Sequence, residues 1–179
     1  FISCIPVGII YLFFSDYLEL LYNKVLICSL LLCVNGVFLL SNKRLDETGA
    51  DSKELSWPDA LFIGFSQVFA LLPGISRSGS TIVAGIMKGL SLQKATEFSF
   101  LMSIPLILGG ILLKRKDLYV FFDSPQSLLQ MFLSFAVAAI LGLIALNLLR
   151  YIQNKGKFRY FGWYCLILGF FVTIKIIFI

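Results

Sequence analysis

Gly74, Ser76, Arg77, Ser78, Gly79, Ser80 and Thr81 fall within one short stretch, PGISRSGST, residues 73–81. The residue types suit a phosphate group. A guanidinium can hold two phosphate oxygens at once with its planar fork. Glycines let backbone N–H groups approach an oxyanion closely, and a helix starting in such a turn points further N–H donors at the same space. The hydroxyls add donors, one of which could instead serve as a nucleophile. The competing reading is an interfacial arginine beside serines and glycines that tighten helix packing. Burying an arginine between apolar half-helices costs roughly 3 kcal/mol or more, which favours the functional reading. Two familiar phosphate loops do not fit. Gly74 and Gly79 are spaced as in a nucleotide P-loop, but Ser80 stands where its lysine belongs and no strand precedes the turn. Leu71 stands where a thiolate phosphatase would carry its cysteine.

The elements that must hold this stretch are apolar helices. Hydrophobic residues make up 59% of the 179 residues, charged residues only 14%, and mean hydropathy is +0.92, the balance of an integral membrane protein. A bilayer core about 30 Å thick needs roughly 20 apolar residues per helix. Apolar runs occur at Phe1–Phe14, Val25–Leu40, Ala95–Leu113, Leu128–Leu149 and Phe161–Ile179. Asp59–Leu72 and Ile82–Leu90 are shorter, and they flank the polar stretch with Pro73, Gly74 and Gly79 between them. Such interrupted segments predict broken, re-entrant helices around PGISRSGST, with one helix ending at Leu72 and the next starting near Ser80. The fold class expected is all-α and polytopic. No linker, low-complexity tract or internal repeat divides the chain, so residues 1–179 read as a single membrane domain. The start at Phe1, inside an apolar run, leads us to expect the C-terminal part of a longer protein.

The net charge of +5 does not indicate nucleic acid, because the basic residues lie in connections between apolar runs. Arg150, Lys155, Lys157 and Arg159 assign their connection to the cytoplasm by the positive-inside rule. The connection one span earlier, with Lys114, Arg115 and Lys116 against Asp117 and Asp123, makes the opposite claim, so orientation stays open. Cys4, Cys28, Cys33 and Cys165 lie in apolar runs without a CxxC pair and read as small hydrophobes. With no histidine, imidazole is unavailable as base or metal ligand, and no residue is assigned to a metal.

GFSQVFALLPGISRSGSTIVAGIMKGLS followed by ATEFSFLMSIPLILGG resembles the second signature region of the undecaprenyl-diphosphate phosphatases, the bacitracin-resistance membrane family. By hydropathy the resemblance extends over essentially the whole chain. It implies a polytopic helical protein of the bacterial plasma membrane, with re-entrant helix pairs in an inverted repeat. Such a protein hydrolyses undecaprenyl diphosphate to undecaprenyl phosphate and inorganic phosphate, which recycles a lipid carrier for peptidoglycan synthesis. It implies help from a divalent cation, Mg or Ca, and allows a homodimer. Carried onto this sequence, the resemblance makes Arg77, Ser76 and Thr81 catalytic. Arg77 would hold the diphosphate; Ser76 and Thr81 would bond phosphate oxygens. Gly74, Ser78 and Gly79 would shape the cradle. Gln67 would either reach the same cavity or serve packing. Glu97 is expected to favour the start of its helix, or to pair in the interior with Arg77 or Lys88, rather than to act on substrate. The family's other signature, a glutamate-rich stretch of the kind EGxTEFLPVSSTGH, has no match here. Residues 1–179 alone are therefore expected to be inactive. A transporter or flippase that binds an anionic lipid headgroup without cleaving it is the alternative.

Overall fold

The computed structural model describes residues 1–42, 52–113, 115, 125–155 and 157–178. Among these residues every regular element is helical: a 3-10 turn at Ile2–Cys4, then α1 (Ile5–Tyr22), α2 (Val25–Ser41), α3 (Trp57–Phe69), α4 (Arg77–Met87), α5 (Leu92–Leu113), α6 (Pro125–Asn154) and α7 (Tyr160–Phe178). Four helical segments, Ile2–Tyr22, Leu92–Leu113, Leu128–Asn154 and Tyr160–Phe178, are long and apolar enough to cross a bilayer. The first outruns its expected end at Phe14. Leu18 stays buried and continues the apolar side of α1, while Asp16 and Glu19 are carried on its exposed side.

α3 and α4 form a hairpin. A capping box starts α3: the Ser56 hydroxyl accepts from the Asp59 N–H, and the Asp59 carboxylate accepts from the Ser56 N–H. The helix stops at Phe69, not Leu72, because the chain tightens there; Leu71 and Leu72 N–H donate to carbonyls three residues back, Val68 and Phe69. α4 starts at Arg77, not near Ser80, because Ser76 caps it through the Gly79 N–H. At the open end of the hairpin the Lys88 ammonium lies 3.8 Å from the Asp59 carboxylate and 4.3 Å from the centre of the Phe62 ring. Lys53 N–H donates to the Gly89 carbonyl at 3.0 Å, and Ser91 N–H to the Ser52 hydroxyl at 3.2 Å. Entry and exit are thus stapled at one end of the bundle. With 13 and 11 residues, α3 and α4 reach only about 20 and 17 Å at 1.5 Å per residue, short of a crossing.

α2 and α7 make the closest helix pair, running antiparallel through small residues. A Cβ on Gly36 would sit 2.8 Å from the Gly162 carbonyl, and one on Gly169 would sit 2.8 Å from the Ser29 carbonyl. Thr173 donates to Ser29 at 2.9 Å, and Arg159 donates to the Leu40 carbonyl at 2.7 Å, one bond near each end of the pair. α4 lies at the centre of the core, with every residue from Gly79 to Ile86 buried against Leu39, Ile63, Leu92, Ala95, Met102 and Phe158.

Candidate functional site

The polar stretch lies at the tip of the hairpin. Gly74 turns the chain with φ +101°, and a side chain there would collide with the Cys28 carbonyl on α2. Two residues on, the Ser76 N–H donates to Asn35 Oδ1 at 3.1 Å, while its hydroxyl accepts from Gly79 N–H at 3.1 Å. Arg77 opens α4. Its Nε donates to Gln67 Oε1 at 2.8 Å, and Gln67, 1% exposed, donates in turn to the Ser3 carbonyl at 3.0 Å. Gln67 thereby fixes the plane of the guanidinium. Arg77 Nη2 is buried and has no hydrogen-bond partner among the described residues. The arginine and Gln67 border a cavity of about 760 Å³ between α1, the hairpin tip and α5, whose walls include Cys4, Tyr11, Leu71, Pro105 and Gly109. A cation oriented by Gln67 therefore lines a largely apolar groove, a combination that suits the charged end of a lipid.

The other expected site residues are not all gathered there. Ser76, Ser78 and Gly79 line a second recess of about 260 Å³, walled by Leu39, Leu149 and Phe158 on the far side of the start of α4. The single cradle expected from spacing is thus divided, because consecutive residues at a helix start point about 100° apart. Thr81 departs from its expected role. It is 1% exposed, and its hydroxyl lies 2.6 Å from that of Ser99 on α5 and donates to the Arg77 carbonyl at 3.0 Å. A threonine four residues into the helix turns inward, so its hydroxyl is used in packing. Glu97 forms neither expected ion pair: it is exposed and accepts from Gln93 at 3.2 Å, while Lys88 is held by Asp59. Asn35 and Ser99 were not anticipated. Asn35 at least had a signal, as the one amide in the apolar run from Val25 to Leu40.

No group of three or more His, Cys, Asp or Glu side chains suited to a metal ion occurs among the described residues. The groups at Arg77 donate hydrogen bonds and carry positive charge; they fit an anion and do not fit a divalent cation.

Comparison with known proteins bears on the chemistry. The family model of the bacitracin resistance protein BacA matches residues 1–171. The chain belongs to this family. As a BacA-family chain with four helices of spanning length and composition, it is a multi-pass membrane protein. It is 34% identical to the undecaprenyl-diphosphatase of Methanococcus vannielii over 181 aligned residues, covering 98% of this chain and 68% of that protein. Identity is 36% to the undecaprenyl-diphosphatase of Halothermothrix orenii, covering 97% of this chain and 67% of that one. It is again 36% to undecaprenyl-diphosphatase 1 of Bacillus cereus, covering 94% and 62%. The chain thus spans about two thirds of the length of these curated relatives.

Proposed function

We propose that this BacA-family chain carries the arginine-bearing part of a site that hydrolyses undecaprenyl diphosphate to undecaprenyl phosphate and inorganic phosphate, in the plasma membrane of a prokaryotic cell. Water adds to the terminal phosphorus, the anhydride P–O bond breaks, and the undecaprenyl phosphate so regenerated re-enters cell-wall synthesis. The reading is carried by one observation: Arg77, its Nε held by Gln67, lines an apolar cavity of about 760 Å³. The guanidinium would bind the diphosphate and stabilise the charge that builds as the bond breaks, in a setting where water competes weakly. The apolar walls would take the start of the prenyl tail. The names of the relatives in Methanococcus, Halothermothrix and Bacillus support the same substrate. The divalent cation implied by the resemblance is not matched by the groups at Arg77, and no step here runs through it. The test uses the full protein in bilayer vesicles supplied with undecaprenyl diphosphate. Release of inorganic phosphate is expected; movement of the lipid between leaflets without phosphate release would overturn the proposal in favour of a carrier.

A further inference from the structure

We infer that Asn35 is a positioning residue for the Arg77 site, acting through the backbone N–H of Ser76. Asn35 is 1% exposed in the apolar helix α2, where an amide without partners would be costly. Both ends of its side chain are engaged. Oδ1 accepts from Ser76 N–H at 3.1 Å, and Nδ2 donates to Cys165 Sγ on α7 at 3.4 Å. The first bond grips the N-cap of α4, one residue before Arg77, and so sets where that helix starts and how it is rotated. The second anchors the amide to the α2–α7 pair, which small-residue packing makes a rigid platform. Gln67 fixes the plane of the guanidinium from α3, whereas Asn35 fixes the backbone that carries it from α2. A leucine would fill a similar space at lower desolvation cost if packing were the only task. The amide is explained by the acceptor it offers to the turn.

The consequence for the reaction rests on the proposed role of Arg77, so the test has one readout that depends on activity and one that does not. The full protein is compared with Asn35→Leu, Asn35→Asp and Ser29→Ala by amide hydrogen exchange and by steady-state phosphate release. Asn35→Leu leaves Ser76 N–H without its acceptor. Exchange across residues 74–80 is expected to rise about tenfold or more, while segments of α2 and α7 change little. In the same variant kcat is expected to fall roughly 10- to 100-fold, the scale of an ångström-sized misplacement of a catalytic group. Asn35→Asp retains an acceptor oxygen for Ser76 N–H but adds the desolvation cost of a buried carboxyl, so the turn is expected to be better protected than in Asn35→Leu. Ser29→Ala removes a bond between α2 and α7 that does not touch the turn, and is expected to change neither readout. Unchanged exchange at 74–80 in Asn35→Leu would overturn the inference. So would a uniform rise through α2, α7 and the turn, or a turn in Asn35→Asp no better protected than in Asn35→Leu. Absence of phosphate release from the unmodified protein would instead overturn the proposed function, and the exchange comparison would still decide whether Asn35 holds the turn.

Discussion

Arg77 is oriented from α3: a buried glutamine accepts from its Nε, while its Nη2 has no acceptor among the described residues. Arg77→Lys keeps the charge and loses the fork. In the full protein it is expected to lower phosphate release from undecaprenyl diphosphate by about 100-fold, the scale of losing an oriented transition-state donor. Activity close to that of the unmodified protein would remove Arg77 from the site. Thr81 makes a different prediction, because its hydroxyl meets Ser99 and the Arg77 carbonyl. Thr81→Ala and Ser99→Ala are expected to be coupled, with the double variant losing at least about 0.5 kcal/mol less stability than the sum of the two. Strict additivity in thermal unfolding would mean that the Thr81–Ser99 contact has no energetic weight.

At the scale of elements, the α3–α4 hairpin depends on its tip and on its open end. Gly74 holds a left-handed backbone directly against α2, so Gly74→Ala meets both conformational strain and the Cys28 carbonyl. A loss of stability beyond about 1 kcal/mol is expected, with the turn displaced from α2. The measurement is denaturation in detergent beside Gly142→Ala, where a Cβ meets nothing within 4 Å. Equal effects would show that the tip does not press on α2. At the open end, outside the four helices of spanning length, the Ser56 hydroxyl donates to the Asp59 carboxylate and holds its pKa below the ordinary 3.8; the Ser56 N–H and the Lys53 charge act in the same direction, against desolvation. A carboxyl with a depressed folded pKa contributes stability that is fully present above its unfolded pKa, and is lost as pH falls through the folded value. The stability gap between the protein and Asp59→Asn is therefore expected to be constant near neutrality and to shrink below about pH 4. A gap independent of pH down to 3 would mean that the carboxylate charge does not stabilise the staple.

At the scale of the whole molecule, the described charges are unevenly shared between the two ends of the bundle. The end with the hairpin staple carries the basic residues Lys53, Lys88, Lys94, Arg150, Lys155, Lys157 and Arg159, whereas the end near the hairpin tip carries Lys24, Arg115 and Lys175 besides the interior Arg77. Lys114, Lys116, Asp117 and Asp123, which made the sequence argument ambiguous, lie outside the described residues. By the positive-inside rule the stapled end is expected in the cytoplasm. Asn154→Cys, at that end, should react with a membrane-impermeant thiol reagent only after cells are opened, and Asn23→Cys, at the other, in intact cells. The reverse pattern would invert the assignment.

Apolar composition and the breaks at Pro73, Gly74 and Gly79 were enough to give an all-α, membrane-spanning architecture with an interrupted pair, because hydrocarbon tolerates backbone only in closed hydrogen-bonding patterns. The phosphate reading of PGISRSGST came from residue types alone, since a guanidinium and hydroxyls among glycines can serve an oxyanion. Direction and partnership were not legible. Whether Thr81 faces a ligand or Ser99 depends on where α4 begins, and that was set by Ser76 capping the helix three residues earlier than the apolar pattern suggested. Glu97 was given a choice of cations by its charge, but Lys88 is held by Asp59 across the hairpin, 29 residues away in sequence. Asn35 looked like an isolated amide in an apolar run until folding brought Ser76 to it from 41 residues away. Spacing along the chain determines which chemistry is available; only packing between helices distant in sequence decides which donors are spent on the fold and which, like Arg77 Nη2, stay without a partner among the described residues.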